Sequence, residues 1–407
     1  MFTHPSVTAA GFVPGWRLVV LERPGLGLSD EAPPGYTYTQ FAADFREFCA
    51  RMGLRRVAVI GFSAGTPFAT AIACTCTSSG GSGRSNPGDA AGAARPGAAT
   101  AAAAAVGGTD AAAASGCSSA PVDPAAVAVA TTDDATAAGM AHGVAGQFTL
   151  EAGADEVGPE VVGVALVSAI GPPNTPNKRQ GMALLFQFAY WACANFPWLV
   201  GAIVRSEAAA LRRRPVHAQR ESFKPYSGAA DVAALKRPEV EAAFLESAME
   251  LYSRGQEAAV LRENLMFAAA PWGLDLAACS RGGSGSGSGT PRVAIWQGGQ
   301  DRGCTVPMAQ YLAQQLRGGG AAEKAREGGK GRGSTAAKLA AGAQAAGSSQ
   351  KQAEDQQGRA PGNEEEAQEA AADEERVQLH VLPDQGHMLY FEVWDRVVAW
   401  VDDVMSR

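Results

Sequence analysis

The chain has 407 residues, 34 of them basic and 41 acidic, for a formal net charge of −7. That balance, with no basic patch, argues against a nucleic-acid partner. The seven cysteines (49, 74, 76, 117, 193, 279 and 304) are odd in number and lack metal-ligand spacing, which argues against a disulfide framework and favours an intracellular reducing compartment. No cationic start followed by an apolar core opens the chain, so no secretory signal is read.

In chain order, a first core part spans 1–77. Residues 17–21 (RLVVL) predict a strand, and 38–52 (YTQFAADFREFCARM) an amphipathic helix. Residues 57–60 (VAVI) predict a short strand apolar on both faces. It runs into Gly61-Phe62-Ser63-Ala64-Gly65, and residues 68–73 then suit a helix. Small residues two before and two after Ser63 allow a turn too tight for side chains, with the hydroxyl held outward. From 78 to 147 there is no Leu, Ile, Phe, Tyr or Trp, so 78–158 is expected to be a disordered low-complexity insertion. Residues 159–176 hold another core strand, at 161–167. The stretch 177–280 is helical and aromatic-rich, without a convincing strand, and is expected to form a lid. Within it, 182–204 (MALLFQFAYWACANFPWLVGAIV) is long enough to span a bilayer, but Gln187, Asn195 and Pro197 interrupt it. Packing within one domain is the favoured reading there, and membrane contact through the lid the lesser one. A Gly/Ser linker occupies 281–290. Residues 291–317 supply a strand (292–296) and a helix (307–316). A charged low-complexity insertion covers 318–376. The chain closes over 377–407 with a strand (377–382), the loop PDQGHMLYFE and a helix (392–405). Buried strands alternating with amphipathic helices predict an α/β fold, a mostly parallel sheet with helices on both faces.

A serine hydroxyl attacks only when a base takes its proton and a third group orients that base. Five histidines are available. His4 precedes the first strand, His142 falls in the insertion, and His217 follows an arginine run. His380 alternates within a strand and reads as structural. His387 lies on a loop after the last strand, at the sheet edge that carries Ser63. For the acid, Asp301 follows the strand ending at Trp296. Asp384, three residues before His387, is the weaker rival. The lid aromatics Phe186, Phe188, Tyr190, Trp191, Phe196 and Trp198 suggest a small apolar substrate, although packing accounts for any one of them. No cofactor or metal motif is read, and no protein partner is implied.

The order Ser63, Asp301, His387 and the motifs around it resemble the α/β-hydrolase family, in its serine-nucleophile branch with a helical lid. RLVVLERPGLGLSD looks like the family's strand and turn, with Glu22 where aspartate is usual. VVGVALVSAIGPP resembles the strand after the nucleophile helix, GQEAAVLRENLMFAAAPWGLDL a lid exit, and GHMLYFE the histidine loop. The resemblance implies a Ser63–His387–Asp301 triad, an oxyanion donor at the Ala64 N–H, and esterase-like cleavage of an ester or related acyl bond of an apolar substrate. A serine at the elbow disfavours the related dehalogenase and epoxide-hydrolase branches. The alternative is a non-catalytic, ligand-binding member of the fold or an inactive fragment. The family places further strands and a His-Gly loop ahead of the strand at Arg17. Their lack here implies an N-terminally incomplete sheet, in which the strands at Arg17 and Val57 face a gap or pair directly. Loss of one oxyanion donor would cost about 2.7–4 kcal/mol in the transition state.

Overall fold

The computed structural model describes residues 16–75, 127–132, 158–223, 228–277, 279, 290–319 and 376–407. His4, His142, most of the two insertions and nearly all of the Gly/Ser linker lie outside the described residues.

Six strands form one sheet: β1 (Trp16–Leu21), β2 (Arg56–Phe62), β3 (Val127–Thr132), β4 (Glu160–Val167), β5 (Arg292–Gly298) and β6 (Val377–Leu382), in the spatial order β1-β3-β2-β4-β5-β6. β2, β4, β5 and β6 pair in parallel, while β3 runs antiparallel to both of its neighbours. The interior strands β2, β4 and β5 are buried over most of their length, as their continuous aliphatic runs require.

The helices are α1 (Tyr38–Arg51), α2 (Thr66–Thr75), the lid helices α3 (Leu184–Asn195), α4 (Pro197–Arg213), α5 (Pro215–Phe223), α6 (Ala229–Leu235), α7 (Pro238–Ser253) and α8 (Glu257–Ala268), then α9 (Val306–Leu316) and α10 (Tyr390–Ser406). Two glycines show that helices cover both faces. A Cβ on Gly61 would meet Ala69 of α2 at 2.7 Å, and one on Gly163 would meet Val404 of α10 at 2.8 Å. Gly163 pairs with Ala58, three residues before Gly61, so the two glycines point to opposite faces. The sheet is therefore sandwiched between α2 and α10. α1 packs outside α2, with Phe41 and Tyr38 set edge-on to the Phe68 ring at 4.8 and 4.9 Å.

One expectation is overturned. The slot between β1 and β2 is not empty, and the first insertion is not wholly without structure, because Val127–Thr132 fills that slot. The reason is main-chain chemistry. The strands on either side of the slot, β2 and the edge strand β1, present N–H and C=O groups toward it that must find partners. VAVATT, rich in Val and Thr, suits a strand even without large side chains. Screening the insertion by side-chain size overlooks this, since strand pairing is made by the backbone.

The apolar stretch 182–204 divides at Phe196, where the backbone leaves the helical region and Pro197 starts α4. Asn195 turns its amide back onto the Trp191 carbonyl at 2.8 Å. Among the described residues, no helix is long and apolar enough to cross a membrane. The lid does leave Leu184, Trp191 and Trp198 exposed.

Candidate active site at the carboxyl edge of the sheet

β2 ends at Phe62 and the chain turns at once into a 3-10 turn, Ser63–Gly65, that feeds α2. Ser63 has φ 47°, the left-handed region that a non-glycine residue adopts only when its surroundings force it. The force comes from close packing. A side chain on Gly61 would strike Ala69 and approach the Gly65 carbonyl to 3.0 Å, so both glycines of the pentapeptide are tied to one tight crossing of strand and helix. The Thr66 hydroxyl donates to the Ser63 carbonyl at 2.7 Å and accepts the Ile170 N–H at 3.0 Å, which pins the turn to the end of β4.

Asp301 lies just past β5 and is 4% exposed. Its Oδ1 accepts the Gly303 and Cys304 N–H groups, both at 2.8 Å. Its Oδ2 meets His387 Nδ1 at 2.8 Å and the Gln297 amide at 3.3 Å. The carboxylate is thus fixed in direction by backbone donors and turned onto the imidazole. The glycine pair in WQGGQD makes this meeting possible. A Cβ on Gly298 would lie 2.3 Å from the Gly386 carbonyl, and one on Gly299 would lie 2.7 Å from Pro383 Cα. Two backbone bonds, Gly299 N–H to Leu382 O at 2.7 Å and Gln300 N–H to Gln385 O at 2.8 Å, join the acid loop to the histidine loop. The His387 ring also lies 5.5 Å from that of Phe62, the residue before Ser63.

The other candidates fall elsewhere. Asp384 is exposed on the turn after β6. His217 is exposed on α5. His380 stacks on Trp296 at 5.2 Å, and burial, then Arg396, push its pKa down.

Donor atoms of Asp301, Cys304 and His387 lie within 4.8 Å of one another. Two ligands of a tetrahedral zinc ion stand about 3.3 Å apart, given bonds near 2.0 Å. The 2.8 Å contact between His387 and Asp301 is closer than that and has the length of a hydrogen bond. The cluster fits a hydrogen-bonded pair with a thiol beside it, not a metal cage.

The sequence reading missed several groups. Arg23, in the turn after β1, forks onto Glu263 of α8 with two contacts of 2.7 Å, both partners almost fully buried, and lies 5.4 Å from the Phe68 ring. This pair ties the lid to the core beside the elbow. Asp231 of α6 accepts the Met388 N–H at 2.8 Å, immediately after His387. Burial raises its pKa first of all, the nearby Asp301 charge adds to this, and the Met388 N–H and His387 oppose it. Gln297, fully buried, accepts the Ala169 N–H at 3.0 Å and donates to the Cys304 carbonyl. Sequence signals for these are faint: a single acid in an alanine-rich helix, and a glutamine in an aliphatic strand.

Comparison with known proteins bears on the same region. A family model described as the alpha/beta hydrolase fold matches residues 5–78, which include β1, α1, β2 and the Ser63 turn. A putative non-heme chloroperoxidase from Synechocystis sp. is 36% identical over 52 residues, 13% of this chain and 19% of that protein. The match therefore spans about a fifth of that relative's length. Among solved structures, MGS-M2, an alpha/beta hydrolase enzyme from a Medee basin deep-sea metagenome library, aligns with 94% of this chain and 77% of its own, at 8% identity and a TM-score of 0.36. The mostly parallel sheet, its covering helices and the strained serine turn at the end of β2 give the chain an α/β-hydrolase fold, and residues 5–78 match that fold's family model.

Proposed function

We propose that the chain is a serine hydrolase that cleaves an ester or related acyl bond of a small apolar substrate. The observation that carries this reading is the 2.8 Å bond between His387 Nδ1 and a buried, backbone-anchored Asp301, at the edge where Ser63 sits in a strained turn. The bond to Asp301 holds the imidazole in the tautomer that is protonated at Nδ1 and basic at Nε2. Ser63 Oγ attacks the acyl carbon as its proton passes to His387 Nε2. Asp301 stabilises the imidazolium that forms. The Ala64 N–H opens the turn leading into α2 and supplies an oxyanion donor. His387 returns the proton to the leaving alcohol, and water releases the acyl group by the same steps. Apolar specificity is supported by Phe186 of the lid, whose ring edge lies 3.1 Å from where a Gly303 side chain would begin, directly beside Asp301.

One observation favours the second reading, a non-catalytic ligand-binding member of the fold. β3 runs antiparallel, so its first residue, Val127, lies beside Gly61 at the site edge. The chain thus enters that slot where a parallel strand would deliver a loop. Hydrolysis of p-nitrophenyl acyl esters and labelling by a fluorophosphonate separate the two. A hydrolase shows both, and Ser63→Ala loses both. Absence of both from the folded full chain favours the binding protein, and hydrolysis retained by Ser63→Ala refutes the serine mechanism.

A further inference from the structure

The peptide between His387 and Met388 is gripped from two sides. Its carbonyl accepts the Ser168 hydroxyl at 2.9 Å, from the end of β4. Its N–H donates to Asp231 Oδ1 at 2.8 Å, from a lid helix. Ser168 is itself held at φ 50° and fully buried, so the sheet side of the grip is rigid. The lid side is equally tight. Asp231 is 3% exposed, and its carboxylate lies against Gly386 so closely that a Cβ there would be 2.3 Å from Oδ1. Among the described residues, the remaining oxygen, Oδ2, receives only a long contact, 3.4 Å, from the Gly228 N–H. A buried carboxylate with one good hydrogen bond is costly unless a positive charge is near. The charge at hand is that of a protonated His387.

We propose that Asp231 is a positioning residue for His387, through which the lid sets the place of the proposed catalytic base and favours its protonated form. This rests on the serine-hydrolase reading of the site. Two carboxylates then act on one imidazole in different ways. Asp301 takes Nδ1 directly, whereas Asp231 acts through the adjoining peptide and through its field. The other ionisable groups facing His387 are Cys304 beside Asp301 and Tyr190 on α3, the latter held neutral by burial. Movement of α6 with the lid would withdraw the Met388 hydrogen bond and the charge together, so the base would be competent only with the lid seated.

The experiment compares full-length wild type, Asp231→Asn, Asp231→Glu and Ser63→Ala on p-nitrophenyl acetate, with kcat and KM measured across pH and melting temperature as a control. Asp231→Asn is expected to lower kcat about tenfold with KM within about twofold, and to move the acid limb of kcat/KM to lower pH by about half a unit, because loss of the negative charge eases deprotonation of His387. Asp231→Glu keeps the charge and is expected to restore the limb while kcat stays reduced. A merely structural Asp231 would change melting temperature or kcat and leave the limb in place, and that result overturns the inference. If Asp231→Asn does not fold, Asp231→Glu decides: reduced kcat with KM, limb and melting temperature all unchanged supports positioning, and wild-type kcat, or a kcat loss that accompanies a lower melting temperature, overturns it. Activity retained by Ser63→Ala would instead refute the hydrolase reading on which the inference stands.

Discussion

Replacing Asp301 by asparagine changes one oxygen of the carboxylate to an amide nitrogen and leaves the volume unchanged. Oδ1 must stay an oxygen, because it accepts two backbone N–H groups at 2.8 Å. The amide nitrogen is therefore forced to the Oδ2 position, facing His387 Nδ1 at 2.8 Å and the Gln297 amide at 3.3 Å. Gln297 cannot flip to offer its oxygen, since that oxygen holds the Ala169 N–H at 3.0 Å. His387 Nδ1 can then only accept, so the proton moves to Nε2 and the ring can no longer take one from Ser63. A wrong tautomer of this kind costs about 10⁴ in kcat, or about 5.4 kcal/mol at 1.36 kcal/mol per decade. Stability should fall by about 1–3 kcal/mol, because both backbone donors keep their acceptor but the new amide faces the Gln297 amide donor to donor. The assay is hydrolysis of p-nitrophenyl butyrate, with circular dichroism to verify folding. An Asp301→Asn protein within tenfold of wild-type kcat, alongside an inactive Ser63→Ala protein, would refute this account of the dyad.

Glu263→Ala should destabilise the protein by about 3–5 kcal/mol in urea unfolding, because it leaves the Arg23 guanidinium buried without its partner; joint replacement of both by apolar residues should recover much of that loss. Gly61→Ala should cost about 1–3 kcal/mol, since the new methyl meets Ala69 at 2.7 Å, and it should also lower kcat by moving the Ser63 turn. Asp231 has a folded-state pKa raised by burial, so its contribution is fully present below the ordinary aspartate value and is lost as pH rises through the raised one. Asp231→Asn should therefore match wild type in acid and melt higher near neutrality, and melting temperatures across pH check this.

Much of the core could be read because its strands are buried on both faces. Continuous aliphatic runs such as VAVI and VVGVALV have few other uses, and the structure places strands on them. Ser63, Asp301 and His387 each follow a strand at one sheet edge, and the structure brings Asp301 and His387 into contact across 86 positions. What escaped had no periodic or motif signature. Asp231 reaches its partner from 157 positions away, and Arg23 reaches Glu263 from 240, distances over which only the folded chain supplies the pairing. β3 escaped because a tract judged by its lack of large side chains hid a run whose contribution is made by the backbone.

The placement of β3 has a consequence for the order in which the molecule assembles. Among the described residues, β1 pairs with no strand but β3, whereas β2, β4, β5 and β6 pair in succession without it. The parallel half can condense on its own aliphatic contacts. β1 and the turn bearing Arg23 join the sheet only once Val127–Thr132 has threaded between β1 and β2. That strand stands far along the sequence from both Thr75 and Glu160, so bringing it between β1 and β2 carries a closure entropy before any pairing repays it. Seating β3 should therefore be the slow, late event in refolding. Protection of β1 amides against hydrogen exchange should lag behind that of β4 and β5, and removal of residues 127–132 should leave the four parallel strands paired with β1 unprotected.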